Sequence, residues 1–220
     1  MDGKLVGWKS FPGKGDKGMK QTGAVLLAAG LSSRMGAFKP MLPFGGDTIS
    51  RQVVSTLLQL GVDPVVVVTG FRANELEEHL RPLGVRFVRN ERYRETQMFD
   101  SVKLGMEAAV RECGRVMVMP MDIPAVRPDT IAGLLNMDAE VVYPVCRGIP
   151  GHPLVMERRI AAAVCGDNGD GGLWEAVKRT KAVILELETK DEGILKDVDT
   201  QREYRDLIQW NHARQSIGNR

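Results

Sequence analysis

From about residue 22 onwards, short apolar runs alternate along the chain with longer amphipathic segments. The runs are rich in β-branched residues, and their apolar character is continuous, which predicts strands covered on both faces. They occupy residues 23–29, 64–70, 85–90, 115–120, 140–145 and 182–188. The segments between them place apolar residues at helical spacing, and several close on a glycine. These predicted helices cover residues 48–61, 72–84, 99–114 and 127–137, and a last one begins near residue 200.

Strands that alternate with helices predict right-handed crossover connections and a mostly parallel sheet. The predicted fold is therefore a single doubly wound, Rossmann-like α/β sheet with helices on both faces. We expect the domain to span residues 22–208. A flexible leader of residues 1–21 would precede it, and a polar, loosely held tail of residues 209–220 would follow it.

Composition and charge exclude several classes of function. The 220 residues are 43% hydrophobic and 26% charged, which is enough to bury a full core. A formal charge of +2 is too mild to indicate a nucleic-acid partner. There is no apolar run of bilayer length and no secretion signal, so we expect no membrane partner. The three cysteines lack C-x-x-C spacing, which favours a reduced, cytoplasmic setting.

The long loop of residues 29–46, between the first strand and the first helix, is the main candidate site. Pro40 and Pro43 resist helix formation, and the first good N-cap candidates are Asp47 and Thr48. Ligands of doubly wound sheets bind at the carboxyl ends of the strands, where this loop must lie. A connection of this length in a compact domain is usually functional or disordered.

Two nucleotide-binding motifs are excluded in this loop. The Walker A pattern needs Lys directly after its second Gly, whereas Gly36 is followed by Ala37, Phe38 and only then Lys39. The dinucleotide fingerprint G-x-G-x-x-G is also absent. The loop nevertheless has the glycines, hydroxyls and cations of an anion cradle, namely Gly30, Ser32, Ser33, Arg34, Gly36 and Lys39. A solvated glycine loop with two chance cations is the alternative that these residues leave open.

Four segments in order resemble one family of nucleotidyltransferases. The stretch "LLAAGLSSRMGAFK" (residues 26–39) is similar to the signature L-x-[AG]-G-x-S-x-R-M-G-x-x-K of the enzymes that load a nucleotide onto molybdopterin. The segments "MPMDIP", "RGIPGHP" and "KDVDTQREY" match further motifs of that family. The resemblance covers residues 22–208 and implies the nucleotide-diphospho-sugar transferase type of fold.

The resemblance also implies a nucleotide. Ala29 resembles the cytidylyltransferase branch, and Phe38 stands where the guanylyltransferase branch usually has an acidic residue, so the implied substrate is CTP. The implied nucleotide-binding residues are Leu27, Ala28, Ala29, Gly30, Ser32, Ser33, Arg34, Met35, Gly36, Lys39 and Ser101. Gln97 departs from the family, which usually has Gly at that place.

In the implied reaction an acceptor phosphate attacks the α-phosphorus of the nucleotide and expels pyrophosphate. Arg34 and Lys39 would neutralise the triphosphate, and Asp122 would complete the catalytic set. Asp122 and Asp199 would bind Mg²⁺, for which Mn²⁺ can substitute. Each carboxylate also has a plain structural alternative, since Asp122 could cap the next turn and Asp199 could be the N-cap of the last helix.

The resemblance implies a molybdopterin-type acceptor in addition to the nucleoside triphosphate. The residues implied near it are Arg147, Gly151, His152 and Asp170. A lone histidine is more often a packed or solvated residue, and Asp170 could belong to a simple turn and N-cap. Rival hypotheses are a nucleotidyltransferase that uses GTP or a sugar or polyol phosphate, and a non-catalytic cofactor carrier. Transient contact with a molybdoenzyme or its chaperone is a further expectation.

Overall fold

The computed structural model describes residues 21–31 and 35–218, with side chains in the last helix described as far as Arg214. The predicted leader therefore lies almost entirely outside the described residues. Strands in chain order are β1 (Thr22–Ala28), β2 (Pro43–Phe44), β3 (Asp47–Thr48), β4 (Val65–Thr69), β5 (Arg86–Arg89), β6 (Arg115–Pro120), β7 (Val141–Cys146), β8 (Ile149–Pro150), β9 (Leu154–Glu157) and β10 (Ile184–Glu188). Helices are α1 (Ile49–Gln59), α2 (Ala73–Leu80), α3 (Met98–Ala109), α4 (Pro128–Asn136), α5 (Arg158–Cys165), α6 (Gly172–Arg179) and α7 (Gln201–Gly218).

The main sheet has the strand order β10-β7-β9-β6-β1-β4-β5, and β8 pairs with β7. Strand β1 is central and runs parallel to both β4 and β6. The mostly parallel α/β fold predicted from the sequence is confirmed. Strand β9 is four residues long, pairs antiparallel with both β6 and β7, and is not among the predicted strands. Helix α5 is not among the predicted helices either, although its buried residues have helical spacing.

Apolar side chains pack on both faces of the sheet, as the continuous hydrophobic runs predict. Along β1, Leu26 faces the cluster formed with α1, α2 and α4. Its neighbour Val25 faces the opposite cluster, formed with α3, α5 and α6. Because successive side chains of a strand point to opposite faces, both must be apolar here.

Among the described residues between β1 and α1, numbered 29–31 and 35–48, there is no α-helix, as predicted. They contain a short 3₁₀ turn at Lys39–Met41 and the small β2–β3 hairpin. Helix α1 begins at the expected N-cap, because Thr48 Oγ1 accepts a hydrogen bond from the Arg51 backbone N–H at 3.3 Å.

The last helix extends beyond the expected domain end. The residues assigned to a loosely held tail from 209 onwards continue α7 without a break as far as Gly218. Asn211 is 3% exposed, and Arg214 Nη1 donates to the carbonyl of Ala125 at 3.0 Å. The polar composition of this segment concealed one face that packs on the domain. No helix in the described part of the chain combines the length and apolarity that crossing a membrane requires.

Candidate active site

A cleft of about 330 Å³ opens at the carboxyl edge of the central strands. It lies where the ends of β1 and β6 meet the start of α3, as expected for a doubly wound sheet. Its walls are formed by Leu27, Ala28, Ala29, Gly30, Leu31, Lys39, Pro40, Tyr93, Thr96, Gln97, Met98, Ser101, Pro120, Met121, Asp122 and Asp199.

One lysine joins two carboxylates in this cleft. Lys39 Nζ donates to Asp122 Oδ2 at 2.9 Å and to Asp199 Oδ1 at 2.6 Å. The side chain of Lys39 is 13% exposed, and those of the two aspartates are 24% and 27% exposed. The ion pairs are therefore partly shielded from water. Electrostatic interactions are stronger in such a shielded position than at the surface.

Backbone hydrogen bonds bring these three residues together from distant parts of the chain. The Met121 N–H donates to the carbonyl of Leu27 at 3.0 Å, which fixes the segment after β6 beside the end of β1. The Val198 N–H donates to the carbonyl of Asp122 at 3.1 Å, which places Asp199 next to Asp122. Lys39 opens the 3₁₀ turn whose second residue, Pro40, is buried.

Two structural roles were the alternatives for these aspartates: Asp122 as the cap of the next turn and Asp199 as the N-cap of the last helix. The contacts of the two side chains differ from both roles. Thr200 directly precedes α7, and its Oγ1 accepts from the Glu203 N–H at 3.2 Å, while Glu203 Oε2 accepts from the Thr200 N–H in return. This reciprocal arrangement caps the helix. The carboxylates of Asp199 and Asp122 both contact Lys39 instead.

Charge and burial act in opposite directions on Lys39. Burial disfavours the charged ammonium, but hydrogen bonds and charges from Asp199 and Asp122 outweigh it and raise the Lys39 pKa above its usual value. Nearby Asp197 shows the effect of clustered acids. Burial and the negative charges of Asp122, Asp199 and Glu203 raise the pKa of its carboxyl group. Because its own pKa is raised, Lys39 remains a cation over the neutral pH range.

Six of the predicted nucleotide-binding residues line the cleft, namely Leu27, Ala28, Ala29, Gly30, Lys39 and Ser101. A Cβ atom added to Gly30 would meet no atom of the described residues within 4 Å, so packing against those residues does not require glycine there. Met35 is buried in a small cluster with Phe44 and Ile49, away from the cleft lining. Gly36 has a φ of +66°, a backbone conformation that favours glycine. Ser32, Ser33 and Arg34 lie outside the described residues.

None of the four predicted acceptor residues belongs to the lining of the cleft. His152 is half-buried, and burial lowers its pKa although the charges of Asp122 and Asp197 act in the opposite direction. Its Nδ1 is buried without a hydrogen-bond partner among the described residues. Gly151 is required by packing, because a Cβ atom there would lie 2.6 Å from the Ile194 carbonyl oxygen.

The other two predicted acceptor residues are exposed. Arg147 is 78% exposed and forms an ion pair with Glu192 at 2.6 Å. Asp170 accepts a hydrogen bond from the Asn168 side chain at 2.7 Å, in the loop before α6. Gly171, and not Asp170, occupies the N-cap position of that helix. The structure therefore does not bring Arg147 and Asp170 into the cleft.

One wall of the cleft contains residues to which the sequence assigned no binding role, namely Tyr93, Thr96 and Met98. Tyr93, Thr96 and Gln97 come from the segment between β5 and α3, whereas Met98 is the first residue of α3 and is 69% exposed. A usable signal was present, because this segment follows a strand whose carboxyl end lies at the same sheet edge. Gln97 has φ −88° and ψ 169°, which is ordinary extended backbone. The loop geometry therefore does not require the glycine that is usual at this position.

The two aspartates are a chemically suitable start for a magnesium site. Carboxylate oxygens are the protein ligands that Mg²⁺ prefers, usually one or two together with phosphate oxygens and water. In the structure, one carboxylate oxygen of Asp122 and one of Asp199 both accept from the Lys39 ammonium group, so the two oxygens are close enough to share a single positive charge. Within residues 21–31 and 35–218, no group of three or more His, Cys, Asp or Glu side chains is arranged to hold a metal.

Known proteins resemble this chain in sequence and in fold. The family described as "MobA-like NTP transferase domain" matches residues 24–183. The molybdenum cofactor cytidylyltransferase of Escherichia coli is 27% identical over 188 residues, covering 84% of this chain and 95% of that protein. The nicotine blue oxidoreductase of Paenarthrobacter nicotinovorans is 26% identical over 197 residues, covering 84% and 96%. A solved nucleotidyl transferase from Methanothermobacter has a TM-score of 0.75 at 28% identity, covering 88% of this chain and 97% of that one.

Proposed function

This chain belongs to the MobA-like NTP transferase family and is a nucleotidyltransferase, and from that premise we propose a specific reaction. The enzyme transfers CMP from CTP to the phosphate of a molybdopterin-type acceptor, with release of pyrophosphate and with Mg²⁺ as the metal. Mn²⁺ can substitute, because it shares the preference for carboxylate and phosphate oxygens.

The contact of Lys39 with both Asp122 and Asp199 is the observation that carries the proposal. Both substrates are anions, so the enzyme must neutralise charge while it aligns the attacking phosphate with the α-phosphorus. A cation and two carboxylates on one cleft wall supply the two kinds of group that this requires. An anion cradle without the carboxylates would bind phosphate but would hold no metal.

Each residue has a distinct part in the reaction. Asp122 and Asp199 would hold the metal, and a bound metal would neutralise charge on the phosphate oxygens. Lys39, always protonated at neutral pH, contacts the triphosphate and stabilises the departing pyrophosphate. Arg34 adds a second, bidentate contact to phosphate oxygens. Backbone N–H groups of the loop that starts at Ala29 complete the cradle.

The choice of CTP is supported by Ala29 and Phe38 together with the relative from Escherichia coli, which is named as a cytidylyltransferase. The acceptor is placed next to His152, whose ring is half-buried near Asp122. Arg147, Gly151 and Asp170 belong to the same proposed acceptor region, where Arg147 and Asp170 would have to close over a bound acceptor.

A thermal-shift measurement tests the nucleotide. The purified protein is heated with CTP, GTP, ATP or UTP in the presence of Mg²⁺. A ligand that binds only the native state raises the apparent stability, and a concentration of 100 times Kd gives about 2.7 kcal/mol. We expect the largest shift with CTP, and a shift with GTP but not CTP would overturn the choice of base.

Pyrophosphate release tests the acceptor and the class of reaction. The enzyme is assayed with CTP, Mg²⁺ and either molybdenum cofactor or a panel of sugar and polyol phosphates. Turnover with sugar phosphates alone would show the rival transferase, and a redox reaction without pyrophosphate release would favour the activity named for the Paenarthrobacter relative. Asp122→Ala should abolish turnover while the fold is retained. Full activity of this variant would contradict the metal site.

A further inference from the structure

Asn90, the first residue after β5, lies behind the cleft wall and is 3% exposed. Its backbone N–H donates to the carbonyl of Thr69 at 2.8 Å, and its carbonyl accepts from the Tyr93 N–H at 3.2 Å. Its side-chain amide forms three further hydrogen bonds. A buried amide with this many partners fixes its surroundings, because breaking one bond leaves a buried polar group unpaired.

The neighbouring groups determine which way the amide points. The Arg92 backbone N–H lies 3.1 Å from one side-chain atom of Asn90. A backbone N–H can only donate, so that atom must be the carbonyl oxygen Oδ1. The other atom is therefore Nδ2, which donates to Thr96 Oγ1 at 2.8 Å and to Ser101 Oγ at 3.0 Å. Both hydrogens of the amide nitrogen are used.

This orientation of the amide determines whether the Ser101 hydroxyl donates or accepts a hydrogen bond. A serine hydroxyl has one hydrogen to donate and two lone pairs to accept with. Since Asn90 occupies a lone pair, the hydrogen of Ser101 remains available, and no hydrogen bond from it to another described residue is present. Ser101 is 5% exposed and lines the cleft. Thr96 differs, because its hydroxyl already donates to the carbonyl of Arg92 at 3.0 Å.

We propose that Asn90 is a positioning residue that makes Ser101 a hydrogen-bond donor toward an acceptor atom of the bound nucleotide. The inference rests on the proposed role of the cleft as the CTP site. It assigns the recognised group a chemical class, namely a carbonyl oxygen or an unprotonated ring nitrogen of the base. The same bonds hold the segment with Tyr93 and Thr96 against α3, so Asn90 also shapes this wall.

The substitution Asn90→Asp tests the polarity with almost no change in shape. A carboxylate has no hydrogen to donate, so Ser101 must turn its own hydrogen toward the new carboxylate and can then only accept from the nucleotide. We expect the KM for CTP to rise about tenfold, the loss of one hydrogen bond, with kcat changed much less. Ser101→Ala should raise this KM by a similar factor, because alanine cannot donate either.

The double variant separates polarity from simple repulsion between the new carboxylate and the triphosphate. If Asn90 acts through Ser101, adding Asn90→Asp to Ser101→Ala should raise the KM for CTP by less than about twofold. An unchanged tenfold effect in that background would overturn the proposal, as would a wild-type KM for Ser101→Ala. The latter result decides the matter even if Asn90→Asp fails to fold.

A matched control addresses burial of a carboxylate in general. Asn211 is also 3% exposed but lies on α7, outside the cleft lining. Asn211→Asp should lower the melting temperature and leave the KM for CTP unchanged. If the wild-type enzyme turns over CTP and the Asn90→Asp variant has an unchanged KM for CTP, this inference is refuted while the proposed function stands. A wild-type enzyme that calorimetry shows not to bind CTP refutes the proposed function, and the inference with it.

Discussion

Lys39 balances the charge of the cleft at the scale of single residues. Its ammonium group contacts two carboxylates, and all three side chains are shielded from much of the solvent. Removing the cation would leave two adjacent negative charges without compensation, which is costly where water is partly excluded. The same cation is the group that we expect to contact the triphosphate. Stability and catalysis therefore depend on one side chain.

Lys39→Met should reduce turnover by a factor of about 10²–10³, the range for loss of one transition-state charge contact. It should also lower the free energy of unfolding by about 1–3 kcal/mol, because two carboxylates then repel each other. Steady-state kinetics and urea unfolding measure the two effects. Lys178→Met is the control, since this exposed lysine forms its ion pair with Glu175 on the surface of α6. Equal effects of the two substitutions would contradict the assigned role.

At the scale of elements, the close approach of α3 to the sheet positions the start of this helix in the cleft. Gly105 lies on the buried face of α3, against Val25 of β1 and Val68 of β4. A Cβ atom at this position would overlap the side chains of both valines. Glycine has a low helix propensity, but packing against the two valines requires it at position 105. The helix then presents Met98 and Ser101 to the cleft.

Gly105→Ala should destabilise the protein by about 1–3 kcal/mol, the usual cost of overpacking a core. The matched control is Gly133→Ala in α4, where the new Cβ would lie 3.0 Å from the end of the partly buried Leu187 side chain. That side chain can move, and alanine favours the helix by about 1 kcal/mol, so we expect little net change. Urea unfolding compares the two variants. A stabilising Gly105→Ala would show that α3 does not lie this close to the sheet.

At the scale of the whole molecule, α7 contacts the loop that follows β1 and adjoins Asp199, the proposed metal ligand. Its Tyr204 hydroxyl donates to the carbonyl of Pro43 at 2.7 Å, and Gln201 Nε2 donates to the carbonyl of Met35 at 3.3 Å. The Trp210 ring contacts two cations, with Lys196 Nζ and Arg214 Cζ at 4.9 and 4.7 Å from the ring centroid. Asp199 directly precedes this helix, so its position depends on how α7 packs.

Truncation after Gln209 should therefore lower the melting temperature and raise the KM for Mg²⁺. The truncation removes the cation–π contacts of Trp210, worth about 0.5–1 kcal/mol each, and the hydrogen bond from Arg214 to Ala125. Trp210→Phe keeps an aromatic ring for both cations and should cost less than the truncation. A truncated protein with normal stability and normal Mg²⁺ dependence would restore the view of residues 209–220 as a tail.

Some strands and helices could be predicted from the sequence, and others could not. Strands of the parallel sheet are covered on both faces, so their continuous apolar runs identify them directly. Strand β9 was missed because its four residues follow a loop and insert between two strands that precede it in the chain. The helical face of residues 209–214 was missed because its buried groups include Asn211 and the partly buried Arg214, which do not form an apolar pattern.

By itself, the sequence determined the fold class, the loop at the end of β1 as the candidate site, and the residue types that suit phosphate and magnesium. These follow from local patterns and from the order of the elements along the chain. Only the tertiary structure decided which groups meet. Lys39 and Asp199 are 160 residues apart, and the polarity of Ser101 depends on an amide from another segment. Contacts of this kind result from packing between distant segments, which local periodicity does not encode.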